Sequence, residues 1–438
     1  MKKTIFILGA FAIAFSLISC GDDNPTPVTN PSLGCTDSTA INFTPLADTD
    51  NGSCIYDSTV TTNYNGVIDS SVTWKKDYIY YLSGRVVVPS GVTLTIEAGT
   101  VVKAYPGEEA NACALIVARG GMIMAEGTAA EPIIFTTTAD QITNDHTSYP
   151  GFANLDESFK GLWGGLIVLG NAEISADAPE VQIEGIPASD SNGLYGGSDN
   201  ADNSGVIRYV QIRHGGTLLG DDNEINGLTL GGVGTGTTVE YVEVIGNVDD
   251  GIECFGGSVN ISNALVWAQG DDAFDIDQSY SGTIDNFMGI ADSDSDHALE
   301  IDGPEGAMVG SFTMTNGTLI GYNPGGGEYA DFRDKPAGTL SNTYFYDFSC
   351  NSDFEIDLGK KDDNGVLVDP SSSVNMSFSA IEFNVSHLAD SCKTTVADIC
   401  KDEPGDLAGG FNASVVTSPT VGADASQFSS WTCYFTEN

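Results

Sequence analysis

Short apolar runs, separated by glycine, asparagine and aspartate, follow one another from about residue 77 to residue 385. In runs such as 274–277 (FDID), apolar and acidic residues alternate, as they do on a strand with one buried and one polar face. No long stretch of the sequence has the period of an amphipathic helix, and the 52 glycines suit a chain with many turns. The pattern therefore predicts an all-β domain over residues 77–385.

The strand-like runs repeat with a period of about 22–25 residues. One series begins at positions 227 (GLTL), 251 (GIEC), 273 (AFDI) and 298 (ALEI). A second series, out of phase with the first, begins at positions 241, 264, 286, 317 and 343. Two strand series with one period predict a single-stranded parallel β-helix, in which each coil adds one strand to each face. A leucine-rich-repeat solenoid would need a Leu/Asn frame, a propeller about twice the period, and a sandwich would not repeat.

The N-terminus carries two lysines and a short apolar run that ends at Leu17-Ile18-Ser19-Cys20. The run is too short to span a bilayer and predicts a secretory signal over residues 1–19. The motif resembles the bacterial lipoprotein signal, which implies cleavage before Cys20 and lipidation of its thiol. The alternative is an ordinary signal peptide with a chance cysteine. The following GDDN resembles the surface-export signal of Bacteroidota lipoproteins, which implies an outer-membrane lipid anchor and a domain facing the cell exterior.

The segments that flank the predicted β-helix differ from it in composition. Residues 20–33 are rich in Pro, Asn and Thr and predict a tether. Residues 34–56 resemble a short cysteine-bracketed module of exported proteins, within which Cys35 and Cys54 are expected to pair. Residues 57–76 are polar and predict a linker, and residues 386–438 predict a C-terminal cap.

The cysteine count fits an exported, oxidised protein. Of nine cysteines, Cys20 is assigned to lipid, and the remaining eight are expected to include disulfides. Cys392 and Cys400 are close enough in sequence to pair. The sequence does not assign partners to Cys113, Cys254, Cys350 and Cys433.

Charge narrows the possible partners. The chain has 16 Lys and Arg against 61 Asp and Glu, a formal charge of −45. Such a charge repels polyanions, so nucleic acid is not expected to bind. An exported protein with this excess of carboxylates suits Ca²⁺ as a cofactor. In the N-terminal module, Asp48 and Asp50 resemble part of a calcium loop that lacks its distal Glu; the alternative is an Asx-turn closed by the disulfide.

The strand repeats carry a family resemblance. The segments GLWGGLIVLGNAEI, EINGLTLGGVGTGTTVEYVEV, DDGIECFGGSVN and DDAFDID resemble a large group of Bacteroidota surface lipoproteins. Those proteins contain right-handed parallel β-helices of the pectin-lyase-like type. The resemblance covers most of residues 77–435 and implies that fold, but it implies no settled activity.

Two acidic pairs, Asp249-Asp250 and Asp271-Asp272, lie 22 residues apart, which is one coil. They are therefore expected to stack about 4.8 Å apart on neighbouring coils. At an effective dielectric near 20, such stacking costs on the order of 3 kcal/mol for each charge pair. Water, bound Ca²⁺ or a raised carboxyl pKa could relieve it. The outward row along the strands is expected to be Glu253, Asp275, Glu300, Arg333 and Glu355.

The order of these motifs resembles the active-site order of polygalacturonases, which are inverting β-helix enzymes. Carried over, Asp271 would be the general acid, while Asp250 and Asp272 would hold the attacking water. His297 would support protonation of the acid, and Arg333 and Lys335 would bind a sugar carboxylate. The motifs depart from the family pattern: residues 247–250 shift the first motif by one position, both glycines around the histidine are replaced, and Asp334 separates the two cations.

Three further acids precede the histidine, and they widen the choice of functions. Asp292, Asp294 and Asp296 are candidate Ca²⁺ ligands in the DSDSDH segment. The favoured hypothesis is a cell-surface lipoprotein whose β-helix is a Ca²⁺-associated binding or structural scaffold in contact with extracellular glycan. The alternatives are a polysaccharide-degrading hydrolase or lyase, a solvated acidic edge, and an adhesin or assembly subunit, which would present a large apolar patch.

Overall fold

The structure is a computed structural model. It describes residues 33–36, 43–45, 47, 49–50, 62–107, 112–144, 150–217, 225–323, 325, 327–356, 360–361, 367–369, 375–388, 392–401 and 410–438. Within these residues, 23 strands belong to one sheet whose neighbouring strands pair in parallel. The predicted all-β parallel β-helix is confirmed.

The strands in chain order are β1 (Leu33–Gly34), β2 (Thr49–Asp50), β3 (Thr62–Val67), β4 (Val72–Trp74), β5 (Ile79–Val88), β6 (Thr93–Ile96), β7 (Val101–Ala104), β8 (Ala114–Val117), β9 (Met122–Glu126), β10 (Ile133–Thr137), β11 (Leu166–Leu169), β12 (Val181–Gln182), β13 (Leu194–Tyr195), β14 (Gly205–Arg213), β15 (Leu228–Gly231), β16 (Thr238–Ile245), β17 (Ile252–Phe255), β18 (Asn260–Trp267), β19 (Phe274–Asp277), β20 (Thr283–Ile290), β21 (Leu299–Asp302), β22 (Phe312–Ile320), β23 (Ala330–Arg333), β24 (Ala337–Tyr346), β25 (Phe354–Ile356), β26 (Lys360–Lys361), β27 (Leu367–Asp369), β28 (Asn375–Asn384) and β29 (Phe411–Val415). Two short α-helices follow late in the chain, α1 (Val396–Ile399) and α2 (Tyr434–Glu437). Short 3-10 turns cover Ser191–Gly193 and Ala425–Gln427.

The two strand series predicted from the repeat form separate walls. The first, here the front sheet, stacks the second half of β5 on β8, β11, β15, β17, β19, β21, β23 and β25. The second stacks β14, β16, β18, β20, β22, β24 and β28. Each coil of this region therefore contributes one strand to the front sheet and one long strand to the second wall.

The interior of the solenoid is a column of like residues. On the front sheet, Leu228, Ile252, Phe274 and Leu299 face one another in register and are fully buried. Every second residue points outward, so the same strands carry Thr229, Glu253, Asp275 and Glu300 on their outer face. Burial of the apolar column stabilises each coil against the next.

The long strands bend at one residue in the left-handed region. These residues are Tyr209, Tyr241, Asn263, Asn286, Asn316, Asn342 and Ala380, with φ between 48° and 59°. Asparagine tolerates this conformation better than most residues, and its amide can bond to the next coil. The Asn286 Nδ2 donates to Asn263 Oδ1 at 2.7 Å, and the Asn342 Nδ2 donates to Asn316 Oδ1 at 3.2 Å. The asparagine row thus fixes the corner between the two halves of each long strand.

The β-helix begins earlier than predicted. Strands β3 and β4 lie inside residues 57–76, the predicted linker, and pair with β5 and β6. The polar composition of this segment predicted a linker, but the segment contains Trp74. Its side chain is fully buried and stacks on Tyr80, with ring centroids 4.9 Å apart. The first coil therefore closes the N-terminal end of the described core.

The C-terminal region is only partly a cap. Strand β29 pairs with β28 at the end of the solenoid. Residues 421–438, here the C-terminal strap, instead run back along the outside of the second wall. The Gln211 Nε2 donates to Trp431 O at 2.7 Å, and the Glu243 carboxylate accepts from Cys433 N and Tyr434 N at 2.8 and 2.9 Å. Burial raises the pKa of Glu243 to about 7.

The predicted Cys392–Cys400 disulfide is wrong. Cys392 bonds to Cys350, with a Cα–Cα distance of 5.8 Å, and Cys400 is a free thiol. Cys400 instead ends α1 and makes a main-chain bridge to Phe354 on the last front strand. Coil stacking, which sequence distance does not reveal, brings position 350 to Cys392. Cys113, Cys254 and Cys433 are also free and buried.

Parts of the predicted N-terminal organisation lie outside the described residues. Cys35 is disulfide-bonded, but Cys54 lies outside the described chain, so their pairing stays a prediction. Cys20 and the signal segment also lie outside it. Among the helices that the structure describes, none is long and apolar enough to cross a membrane.

Replacing Trp431 by Ala tests whether the strap belongs to the core. Trp431 is fully buried against Tyr209 and Tyr241, so the change should lower the free energy of unfolding by about 3–5 kcal/mol. Urea unfolding measures it. Tyr346→Ala, at a ring that is 37% exposed, is the matched control and should cost much less. A loss below about 1 kcal/mol for Trp431→Ala would show that the strap contributes little to the folded core.

Candidate functional site

The paired acids lie on successive coils at the turn that precedes the front sheet. The Asp250 Oδ1 accepts a hydrogen bond from Asp272 N at 2.9 Å. The Asp272 Oδ1 accepts from His297 N at 2.7 Å and lies 2.9 Å from His297 Nδ1. Each carboxylate therefore bonds to the main chain of the next coil, which is a structural use of both predicted water-holding acids.

The outward row on the front sheet differs from the predicted one at a single place. The register places Glu253, Asp275, Glu300, Asp331 and Glu355 in line. Asp331 therefore takes the position predicted for Arg333. The reason is that Phe332 points inward opposite Ile301, which places Arg333 opposite Asp302, two residues further along the strand.

These rows line an open cleft of about 620 Å³, here the acidic cleft. One wall comes from the long loop between β11 and β14, which contributes Glu184. The lining residues are Glu184, Val248, Asp249, Asp250, Glu253, Gly270, Asp271, Asp275, Glu300 and Arg333. Seven of these ten are carboxylates and one is a cation, so the cleft is a strongly negative concavity.

Within the described residues, Asp250, Glu253 and Asp275 at the cleft floor form no ion pair with a cation. Burial, and then the charge of neighbouring acids, raises the pKa of Asp250, Glu253 and Asp275 well above the usual range. The Asn226 Nδ2 donates a hydrogen bond to Glu253 Oε2. The Asp275 Oδ1 is buried and makes no hydrogen bond to any residue that the structure describes. The floor therefore needs protons or a cation to be stable at neutral pH.

The opposite end of the acidic cleft is neutralised. Burial alone would lower the pKa of His297, but its bonds to Asp272 and Glu300 outweigh that effect and raise the pKa to about 11. Arg333 forms ion pairs with Glu300, with Asp302 at 2.8 Å and with Asp331 at 3.6 Å. The Arg333 guanidinium is already paired with carboxylates of the protein, so it is poorly placed to bind a substrate carboxylate as well.

The predicted catalytic residues are brought together, but not in the predicted arrangement. Asp250 and Asp272 are buried, whereas Asp271 is exposed at the rim. Burial and then Asp296 raise the pKa of Asp271. Lys335 is exposed in a left-handed turn after β23 and does not line the cleft. Among the three predicted catalytic carboxylates, Asp271 is therefore the exposed one.

The predicted calcium ligands in the DSDSDH segment are not gathered around one point. Lys160 Nζ lies 2.8 Å from an Asp292 oxygen and 3.6 Å from an Asp294 oxygen, so a cation already serves both acids. The Asp292 Oδ1 also accepts from Asp294 N at 2.9 Å. Asp296 points separately, 3.9 Å from His297 Nδ1. In the N-terminal module, Asp48 lies outside the described residues, and Asp50 is described only as part of β2.

Other acids are better placed to hold a metal ion. Among the described residues, three groups have one ligand atom from each member within 4.8 Å of the others: Asp249, Asp250 and Asp271; Asp250, Glu253 and Asp275; Asp272, His297 and Glu300. The first two groups share Asp250 and line the acidic cleft. In the third group, His297 Nδ1 lies 2.9 Å from an Asp272 oxygen and 3.3 Å from a Glu300 oxygen, so the imidazole already pairs with both carboxylates.

Sequence reasoning missed one residue that lines the cleft, Glu184, and one that bonds to a lining residue, Asn226. Glu184 comes from a loop inserted between coils, so no period points to it. Asn226 lies 24 residues before Asp250, which is one coil, and the repeat could have placed it next to Glu253. The insertion therefore builds a wall that the repeat alone does not contain.

Comparison with known proteins establishes the family. Residues 66–432 match the model of the pectate-lyase-like β-helix domain, which is most of the chain. The protein belongs to this family of β-helix domains. No curated protein and no solved structure matches the chain significantly.

The raised carboxyl pKa values predict a pH dependence of stability. The folded state holds protons that the unfolded state releases, so this stability is present at low pH and is lost as pH rises. Asp277 contributes too, because burial and the charge of Asp302 raise its pKa to about 7. In chelator, the free energy of unfolding should fall by at least about 2 kcal/mol between pH 5 and pH 8. Denaturant unfolding at fixed ionic strength measures it.

The matched variant for this prediction is Asp275→Asn. It removes one carboxyl group of the cleft but leaves Glu243 under the strap. Glu243 also has a raised pKa, so it too makes the free energy of unfolding fall as pH rises. The variant should flatten the decline with pH. A wild-type stability that stays level or rises between pH 5 and pH 8 would contradict the raised pKa values.

Proposed function

We propose that the protein is a cell-surface lipoprotein whose β-helix is a Ca²⁺-associated scaffold that binds extracellular glycan at the acidic cleft. The pectate-lyase-like β-helix fits a carbohydrate-related role. The single observation that carries the proposal is the grouping of carboxylates in the acidic cleft: Asp249, Asp250 and Asp271, and also Asp250, Glu253 and Asp275, each offer oxygens within 4.8 Å of one another.

Calcium suits this donor set. The ion takes six to eight oxygen ligands, and carboxylates are its commonest protein donors. Asp249, Asp250 and Asp271 would supply charge from one side of the cleft, and water or sugar hydroxyls would fill the remaining positions. Binding would relieve the like-charge repulsion that burial makes costly. The open cleft leaves the ligand side of such an ion accessible.

The surface location in this proposal rests on the sequence alone. The lipobox at Cys20 and the acidic residues after it resemble exported lipoproteins, and they would hold the β-helix outside the cell. A net charge of −45 suits contact with neutral glycan, or with anionic glycan through bridging Ca²⁺. Nucleic acid remains an unexpected partner for the same reason.

Calcium should stabilise the wild-type chain and should do so more at pH 8 than at pH 5. At a concentration of 100 Kd, the gain is about 2.7 kcal/mol. The double variant Asp249→Asn, Asp271→Asn should lose this gain. Thermal unfolding with Ca²⁺ or with chelator, and calorimetric titration, measure the effect.

The control for the calcium experiment is Asp69→Asn. Asp69 is an exposed acid on the first coils, far along the sequence from the cleft. It removes a charge without touching the cleft and should leave the Ca²⁺ response intact. A response that persists in the double variant would exclude the group of Asp249, Asp250 and Asp271 as the calcium site, and no response in wild type would refute the calcium proposal.

One observation favours a second function, a polysaccharide-degrading enzyme. Asp271 is reachable from solvent, and burial and then Asp296 raise its pKa. A raised pKa is what a carboxyl group needs to act as a general acid near neutral pH. Against this, Asp250 and Asp272 are tied to main-chain N–H groups of the next coil, so the second carboxylate of a hydrolase lacks an evident candidate.

Release of reducing ends from a panel of neutral and acidic polysaccharides separates the two functions. On the scaffold proposal, no glycan is cleaved, with or without Ca²⁺. Cleavage by wild type that falls at least about 100-fold in Asp271→Asn would make Asp271 the acid and overturn the scaffold proposal. In that case Asp296→Asn should shift the basic limb of the pH–rate profile to lower pH, because it removes a charge that raises the pKa of Asp271.

The adhesin or assembly-subunit alternative is not proposed. It predicted a large apolar surface patch. In the described chain, the exposed large apolar side chains are Val67, Val309, Tyr322 and Tyr346. They lie on different elements and do not make such a patch.

A further inference from the structure

Arg85 differs from the other arginines of the chain. The chain has five arginines, and Arg119, Arg208, Arg213 and Arg333 all make hydrogen bonds. The Arg85 side chain makes no hydrogen bond or ion pair within the described residues, and its Nη1 is buried without a partner there. In a chain with 61 acidic residues, an unpaired guanidinium requires an explanation.

The guanidinium lines a pocket at the N-terminal end of the front sheet. The pocket has a volume of about 450 Å³, and its polar lining includes Asn65, Ser83 and Asp190. Asn65 is exposed, and its amide makes no hydrogen bond within the described residues. The volume lies in the range of small-molecule sites. The pocket therefore offers two unused donor groups, one of them charged.

The pocket is separate from the acidic cleft, although both lie on the front sheet. The register leads from Val87, beside Arg85, through Ile116, Ile167 and Thr229 to Glu253 in the cleft. Four coil steps of about 4.8 Å place the two positions roughly 19 Å apart. The loop between β11 and β14 covers the space between them, because Ile183, Ile186 and Tyr195 pack on the sheet there.

The acid in the pocket narrows the ligand class. The Asp190 Oδ1 accepts from Asn192 N at 3.0 Å and from Asn192 Nδ2 at 2.9 Å. Its other oxygen is unbonded within the described chain and can accept from a hydroxyl group. A guanidinium binds carboxylates with two parallel hydrogen bonds. A doubly charged phosphate would meet more repulsion from Asp190 than a carboxylate would.

We propose that this pocket binds a carboxylate anion that carries hydroxyl groups, such as a sugar acid. The carboxylate lies on the Arg85 guanidinium and accepts from the Asn65 amide, and a hydroxyl donates to Asp190. The site is independent of calcium and of the function assigned to the acidic cleft. Within the described residues, the bound carboxylate would supply the partner that the buried Arg85 Nη1 lacks.

Calorimetric titration of the whole chain at 150 mM salt and in chelator tests the proposal. The probes are glucuronate, gluconate, glucose, acetate and phosphate. Glucuronate or gluconate should bind at least tenfold more tightly than glucose, acetate or phosphate. Arg85→Gln should abolish this binding. Arg85→Lys should weaken it at least fivefold, because an ammonium group cannot make the two parallel hydrogen bonds of a guanidinium. Arg119→Gln, which removes an arginine paired with Glu180, is the matched control and should bind as wild type does.

Several outcomes would overturn the proposal. They are no binding by wild type, equal binding by Arg85→Gln, and phosphate binding as tight as that of the hydroxy acids. A fourth is an ion pair between Arg85 and Asp190 in solution. In that case Arg85→Gln and Asp190→Asn would each lower the Tm, and the Tm of the double variant would be no lower than that of either single variant. If Arg85→Gln fails to fold, Arg85→Lys and Asn65→Ala decide the matter, because each should still weaken glucuronate binding.

Discussion

Equivalent residues of successive coils lie one strand spacing apart, and this constraint governs the whole front sheet. Inside the solenoid it is favourable, because Ile252 stacks on Phe274 and Phe274 on Leu299 in a continuous apolar column. Outside, the same geometry stacks Glu253 on Asp275 and repeats the like-charge contact on the next coil. The fold therefore turns a repeated acidic position into a concentrated negative field whether or not the function needs one.

The chain relieves that field unequally along its axis. Toward the C-terminal coils, His297 and Arg333 bring positive charge into contact with Glu300 and its neighbours. Toward the N-terminal coils, Asp250 and Glu253 are buried without a paired cation among the described residues, and the inserted loop adds one more acid. The acidic cleft lies between the coils whose acids pair with His297 and Arg333 and the coils whose acids do not. Protons can neutralise the N-terminal half of the cleft at low pH, and on the calcium proposal a bound ion would take their place at higher pH.

The periodic part of the molecule could be predicted from sequence, and the non-periodic part could not. The spacing of the DD pairs predicted neighbouring coils, because one coil is one repeat. The same rule failed at Arg333, where the inward Phe332 fixes a register that puts Asp331 in the row. It also failed at Cys392, which bonds to Cys350 across a turn, and at Glu184, which comes from an insertion. Long-range partners outside the repeat leave no periodic signal.

The C-terminal strap also constrains the order in which parts of the protein can fold. It lies against strands made about 220 residues earlier, as the bond from Gln211 to Trp431 shows. Because the N-terminal coils are synthesised first, they can stack as they emerge. The apolar flank that includes Leu265, Trp267 and Met288 is covered only after the strap has been synthesised. A chain that stopped short of the strap would keep its coils and display that flank. The strap thus covers an apolar surface that the stacked coils alone would leave exposed.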